Sequence, residues 1–351
     1  MRLLFDLGHP AHVHLFRHLI ARVRAHGGEV LVTARDKDVT VGLCHQYGIP
    51  VTVLSHAHGG DLLSTMRELL IRTVGVLRCA WKFRPDALVG TSISIGPVGR
   101  AIGRPSFVFN EDDARVVPLF AKIAYPAATY VVTPECLKHE AHGEKHLTYR
   151  GYHELSYLHP DHFTPDRTVL NELGVKPYEP FFILRCVALK AHHDQGAQGL
   201  SADLATALVE VLSHYGRVWV TAEQFTKNPL SGRRFPLPPS LFHDALAFCS
   251  LCITDSQTVA AEAAVLGVPN IRVNTFVGRI TYLEELERRY GLTCGFRPHE
   301  FRKALLHIRN ILENLDEIKR DLQNKREAML RECVNMADWQ WDMIQDRLSC
   351  H

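Results

Sequence analysis

The sequence predicts an α/β chain of two domains, each built on a parallel sheet, with a ligand-binding cleft between them. Three observations carry this. A length of 351 residues exceeds one ordinary core and suits two domains of about 150 to 180 residues. Short apolar runs alternate with helix-length segments through both halves, as parallel strands covered on both faces do. The stretch from Cys252 to Pro269 reads as buried strand, polar turn, short helix and Gly-x-Pro stop, an arrangement that aims backbone N–H groups at an anion.

Strands are expected first at Arg2 to Leu7, Glu29 to Thr33, Val51 to Leu54, Ala87 to Gly90, Ser106 to Phe109 and Tyr130 to Thr133. Each is a short apolar run bounded by turn formers. Between them, His12 to Ala25, Asp61 to Phe83 and Arg115 to Tyr125 have helical length. The aromatic passage from Gly151 to Pro160 reads as an inter-domain connector. Further strands follow at Phe181 to Cys186, Arg217 to Thr221, Leu251 to Thr254 and Asn270 to Val273. From Pro298 the pattern turns helical, with Phe301 to Leu312, Leu315 to Leu330 and Val334 to Leu348. The last segment carries Trp339, Trp341, Met343 and Ile344, and a helix with that much aromatic surface is expected to pack back on the body. The expected domains are therefore residues 1–160 and 161–333, with 334–351 as the returning helix.

Composition narrows the function classes. The chain is 46% hydrophobic and 22% charged with a net charge of +2, which fits a soluble globular protein and argues against bulk electrostatic binding to nucleic acid. No apolar stretch approaches a bilayer span. The amino terminus enters a strand at once without the features of a signal peptide, so a cytoplasmic location is expected. Peripheral contact with the inner membrane face is a further expectation, through an apolar and basic segment near Leu69 to Lys82; its Arg67, Arg72 and Arg78 read equally as a solvated face. Nine scattered cysteines suit a reducing compartment, and Cys249-Ser250-Leu251-Cys252 lacks a second pair or a His at zinc spacing, so it reads as core packing.

Candidate chemistry sits where strands end, because ligands of open α/β sheets collect outside the strands' carboxyl ends. The first such turn contains Gly8, His9, Pro10, His12 and His14. Gly8 suits a tight exit and Pro10 the first turn of a helix. The histidine spacing does not define a set of metal ligands, so no metal is assigned; His12 is read as a general base or phosphate contact, with capping or packing as the alternative. Thr91 and Ser92 follow the strand ending at Gly90 and offer hydroxyls to a substrate or a helix cap. Glu111, Asp112, Asp113 and Arg115 follow Phe109. Glu111 is the better catalytic candidate of that turn, while Asp112 and Asp113 serve as substrate contacts or caps. In the second half, Arg185 ends a strand and Lys190, His192, His193 and Asp194 follow it in a loop suited to an anion. Glu223 follows the next strand on the same side. Asp255, Ser256, Gln257 and Thr258 form the polar turn of the opening motif, with Glu262 one helical turn further on.

Thr254-Asp255-Ser256 followed by Glu262-Ala263 and Leu266-Gly267-x-Pro269 is similar to the nucleotide-binding signature T-D-S-G-G-x-x-E-E-A-x-x-x-G-x-P of the UDP-GlcNAc 2-epimerases; Gln257 and Thr258 stand in place of its two glycines. By that resemblance Ser256 and the following backbone contact phosphate, and Glu262 takes the ribose hydroxyls. Phe5-Asp6-x-Gly8-His9-Pro10-Ala11-His12-Val13-His14, Thr33-Ala34-Arg35-Asp36-Lys37, Tyr157-Leu158-His159-Pro160 and Glu284-x-x-Glu287-x-x-Tyr290-Gly291-Leu292 resemble the domain-of-unknown-function family 354. That resemblance implies GT-B architecture, with two Rossmann-like domains, and a role in surface polysaccharide assembly.

Ala11-His12-Val13-His14 also resembles the G-G-H-V stretch of the peptidoglycan lipid-linked GlcNAc transferase, which favours His12 as a base acting on an acceptor hydroxyl. Glu111 and Arg115 keep the spacing of the epimerases' E-A-G-L-R, whereas Thr91 replaces the aspartate of their G-D-T turn. The expectation is therefore glycosyl transfer from a nucleoside diphosphate sugar, UDP-linked by the resemblance, to a saccharide or lipid-linked acceptor, with no obligatory cofactor. A 2-epimerase-like enzyme and a non-catalytic nucleotide-sugar-binding protein are the alternatives.

Overall fold

The structure, a computed structural model, describes residues 1–56, 62–176, 178–187, 199–222 and 229–349. The chain divides into two compact units, Met1–His162 with Cys333–His351, and Phe163–Glu332.

In unit 1 the elements run β1 (Arg2–Leu7), α1 (Pro10–Ala25), β2 (Glu29–Asp36), α2 (Thr40–Gln46), β3 (Thr52–His56), α3 (Leu62–Phe83), β4 (Ala87–Gly90), α4 (Ile95–Ile102), β5 (Ser106–Phe109), α5 (Pro118–Ala127), β6 (Tyr130–Pro134), β7 (His146–Tyr149) and α6 (Leu155–Leu158). Unit 2 continues with α7 (Thr168–Glu172), β8 (Phe181–Cys186), α8 (Ala202–Ser213), β9 (Arg217–Ala222), α9 (Phe242–Phe248), β10 (Leu251–Thr254), α10 (Gln257–Val265), β11 (Asn270–Val273), α11 (Thr281–Arg288), β12 (Cys294–Phe296), α12 (Phe301–Glu313) and α13 (Leu315–Glu332). The chain then returns to unit 1 as α14 (Met336–Ser349).

Among the described residues the strands form a seven-stranded sheet of order β3-β2-β1-β4-β5-β6-β7 and a five-stranded sheet of order β12-β11-β10-β8-β9, with parallel pairing throughout. The first sheet is packed on both faces, which is why its central strands are mostly apolar, with the buried Asp6 of β1 and Ser106 of β5 as polar exceptions. Leu4, Leu88 and Val108 meet Val76, Ala80 and Ile95 on one side. On the other, Phe5 and Phe109 flank Phe16 of α1 at ring distances of 5.6 and 5.3 Å. In unit 2, Phe182, Leu184, Ile253 and Ile271 share a core with Ile308 and Ile311 of α12.

Three expectations are corrected. Helix α5 starts at Pro118 rather than Arg115; the residues before it are held as a turn by the Asn110 amide on the Asp112 carbonyl at 2.5 Å and by the Asp113 carbonyl, which accepts from the amides of Val116 and Val117. Residues 151–158 are not a connector but are buried in unit 1, where α6 packs on α1 and α14. Arg72 does not belong to a solvated face: its side chain is 11% exposed and pairs with Asp6.

Candidate functional site

In unit 1 the turns after β1, β4 and β5 leave neighbouring strands at the same sheet edge, since Asp6 is level with Gly90 and Gly90 with Val108. Asp6, fully buried, anchors this edge. It accepts hydrogen bonds from the Thr33 hydroxyl at 2.8 Å, the Arg72 guanidinium at 2.9 Å and the Ser92 hydroxyl. The guanidinium also lies over Gly8: a Cβ there would stand 3.0 Å from one Arg72 nitrogen and 3.1 Å from another. A side chain at Gly8 would therefore have to displace the guanidinium by a few tenths of an ångström from its place beside Asp6.

His9 caps α1, its Nδ1 accepting from the Ala11 amide at 3.2 Å, and Pro10 takes the first turn. His12 then faces back to the strand end. Its Nδ1 accepts from the Gly8 amide at 3.1 Å, which leaves the ring proton of a neutral imidazole on Nε2. The Thr91 hydroxyl lies 2.5 Å from Nδ1 and 2.8 Å from Nε2. Burial, and then the neighbouring His9, Arg72, His153 and Lys37, hold the His12 pKa well below its ordinary value, so the ring is neutral at physiological pH.

Glu111 and Asp112 follow β5. Glu111 Oε2 lies 3.3 Å from His153 Nδ1. Asp112 is raised to about 7, chiefly by burial and then by the Glu111 carboxylate, against the opposing effect of His153. His153, buried beside Glu111, thus belongs to this cluster. Sequence reasoning missed it because it lies in the passage read as a connector. Arg115 is exposed and pairs with Asp113 at 3.3 Å. One carboxylate oxygen each of Asp113 and Glu140 and a ring nitrogen of His139 lie within 4.8 Å of one another, a grouping of cation-ligand type; Glu140 Oε1 also accepts from the Ala114 amide at 2.6 Å.

In unit 2 the motif after β10 folds as the sequence suggests, a strand end leading into α10. Ser256 caps α10 by accepting from the Val259 amide at 3.3 Å, and its own amide donates to the Thr254 hydroxyl at 2.9 Å. Gln257 and Thr258 open the helix, where backbone N–H groups lack intrahelical acceptors. Asp255 is buried, and its two oxygens accept from the amides of Val187 at 2.7 Å and Leu200 at 3.1 Å. Burial raises it to about 6 against those hydrogen bonds. Arg185 donates to the Thr221 hydroxyl at 2.8 Å. Glu262 and His243, both buried, meet at 2.9 Å through Oε1 and Nε2, a contact with no local sequence signal. Glu223, Lys190, His192, His193 and Asp194 lie outside the described residues.

The unit 1 residues Gly8, His9, His12, Thr91, Ser92, Glu111 and Asp112 thus gather at one sheet edge, and Arg185, Asp255, Ser256, Gln257 and Thr258 at the strand ends of unit 2. A cavity of about 740 Å³ lined in part by Arg167, Phe181, Phe248 and Lys319 lies instead beside the amino end of β8.

Solved structures identify the architecture as GT-B. The UDP-N-acetylglucosamine 2-epimerase of Rickettsia bellii is similar over 99% of this chain and 97% of its own, with a TM-score of 0.72 and 15% identity. The UDP-GlcNAc 2-epimerase of Neisseria meningitidis, bound to UDP-GlcNAc, is similar over 100% of both chains, with a TM-score of 0.69 and 12% identity. The spinosyn forosaminyltransferase SpnP is similar over 99% of both, with a TM-score of 0.66 and 16% identity. At these identities the likeness is one of fold. No curated protein matches the sequence. Residues 1–280 match the family described as protein of unknown function, DUF354, and the chain belongs to that family.

Proposed function

We propose that the protein transfers a sugar from a nucleoside diphosphate sugar, in the first instance a UDP sugar, to a hydroxyl of a saccharide or lipid-linked acceptor in cell-surface polysaccharide or glycoconjugate synthesis. The observation that carries this reading is the gathering of His12, Thr91, Glu111 and Asp112 at the carboxyl ends of the neighbouring strands β1, β4 and β5, where burial holds the pKa of His12 low and pushes the Asp112 carboxyl up to about 7. A base is most effective when its pKa lies near the working pH. Asp112, with Glu111 beside it, takes the acceptor proton as the acceptor oxygen bonds to the anomeric carbon and the bond to the diphosphate breaks. His12, whose Nδ1 is occupied by the Gly8 amide, offers an N–H that orients an oxygen. On unit 2, the amides opening α10 and the Arg185 guanidinium suit the departing diphosphate without an obligatory metal. Glu262 is read as holding α10 against α9 through His243, and Gln257 and Thr258 as the nucleotide contacts.

The test is incubation of the purified chain with a panel of nucleotide sugars and acceptors, with products read by mass spectrometry. Transfer is expected from the parent and not from His12→Ala or Asp112→Asn; transfer unaffected by either substitution would overturn the reading. The pairing of Glu111 with His153 at 3.3 Å, next to the Asp112 carboxyl, favours a second reading, 2-epimerisation by proton abstraction. Solvent deuterium entering the sugar ring would support it, and absence of exchange with any UDP-N-acetylhexosamine would remove it.

A further inference from the structure

Helix α3 presents a face that no described residue of its own unit covers. Met66, Leu70, Ile71 and Trp81 are 57, 64, 50 and 72% exposed, and Val74 is exposed beside them. Arg67, Arg78 and Lys82 are exposed on the same helix. At 3.6 residues per turn these eight positions fall within about 160° of the helix circumference, apolar side chains running into a basic margin. Glu68, the one acidic residue of α3, turns away and pairs with Arg35, which donates to its carboxylate at 2.5 and 2.7 Å. The opposite face is occupied within unit 1: Val76 and Ala80 are fully buried, Arg72 binds Asp6, and the Thr73 hydroxyl meets that of Ser94 at 2.8 Å.

We propose that this face of α3 docks on an anionic lipid surface. An exposed apolar stripe of this size marks an interaction site, and its union with Arg, Lys and Trp is the composition of a helix lying in a membrane interface. No helix among the described residues is long and apolar enough to cross a bilayer, so the contact is peripheral. Charge selects lipid over a second copy of the chain: a two-fold pairing would bring Arg67, Arg78 and Lys82 against their own counterparts, with no carboxylate on the face to meet them. The same helix carries Arg72 to the strand end at Asp6, so docking would place the unit 1 cluster near the lipid surface. The inference does not rest on the sugar-transfer reading, because the measurement uses no sugar and either can fail alone.

The full chain is sedimented with vesicles of phosphatidylcholine alone or with about one part in three phosphatidylglycerol. Binding is expected only to the anionic vesicles, weakened by salt at about 0.5 M as screening shortens the electrostatic range, and accompanied by a blue shift of tryptophan emission that is smaller in Trp81→Phe. Leu70→Glu with Ile71→Glu, and separately Arg78→Glu with Lys82→Glu, are each expected to reduce binding roughly tenfold or more. All four positions are exposed, and unchanged circular dichroism would exclude unfolding. Equal binding to both vesicle types, no binding to either, or full binding by both double variants would overturn the proposal. So would a dimer in light scattering that the Leu70, Ile71 variant dissolves, since the face would then belong to a second copy.

Discussion

The Arg72 guanidinium donates to the buried carboxylate of Asp6 at 2.9 Å, pinning helix α3 to the end of β1 directly over Gly8. Removing one partner of a buried pair leaves an uncompensated charge. Arg72→Ala is therefore expected to lower the free energy of unfolding by about 3–5 kcal/mol, read from urea denaturation. A loss near zero would mean that the Thr33 and Ser92 hydroxyls suffice for Asp6.

As the base of the proposed sugar transfer, Asp112 would set the pH dependence of the rate. With a pKa of about 7, it is protonated and inactive as a base at low pH, so the rate should rise through neutrality and level off above it. His12, held neutral, adds no limb of its own in that range. Asp112→Asn is expected to lower kcat by about 10²–10⁴. An initial-rate profile that stays flat across neutrality would remove Asp112 as the base.

Asp255 couples pH to stability in the other unit. Its pKa in the folded protein, about 6, lies above the ordinary value of 3.8, so the native state binds the proton more tightly than the unfolded chain does. Its contribution is fully present below the ordinary value and is lost as pH rises through about 6, a change on the order of 2–3 kcal/mol. Urea midpoints of the parent should fall over that interval, and those of Asp255→Asn should fall less. Asp255→Ala should in addition loosen the backbone at Val187 and Leu200, whose amides lose their acceptor, visible as faster hydrogen exchange there.

Two further substitutions separate support from binding around α10. Ser256→Ala removes the cap on the Val259 amide and is expected to cost about 1 kcal/mol. His243→Ala leaves the buried Glu262 carboxylate without its 2.9 Å partner and is expected to cost more, about 1–3 kcal/mol. The reverse order in thermal denaturation would place the structural weight on the cap.

Much of this architecture is visible in the chain itself. Strands β1, β4, β5, β8, β10 and β11 fall where short apolar runs predict them, because a central parallel strand buries every side chain and writes an unbroken signal. Strands β7 and β12 escape the same reading: His146-Leu147-Thr148-Tyr149 is half polar, Cys294-Gly295-Phe296 is three residues long, and both lie at sheet edges. Turns at strand ends identify Gly8, His12, Thr91, Glu111 and Ser256 as candidates. Partnerships that exist only after folding do not appear in the sequence. Arg72 looks solvated until its helix meets Asp6, and His153 looks like linker until residues 151–158 are buried beside Glu111.

The central claim, use of a nucleoside diphosphate sugar held at the strand ends of unit 2, is tested most directly by thermal denaturation of the full chain with UDP-, dTDP-, GDP- and CMP-linked sugars. A ligand at about a hundred times its Kd stabilises the folded state by about 2.7 kcal/mol. At least one sugar nucleotide should therefore raise the melting temperature by several degrees, with the increase reduced in Thr258→Pro, which alters the opening turn of α10. No shift with any member of the panel, or a shift unchanged in that variant, would contradict the claim.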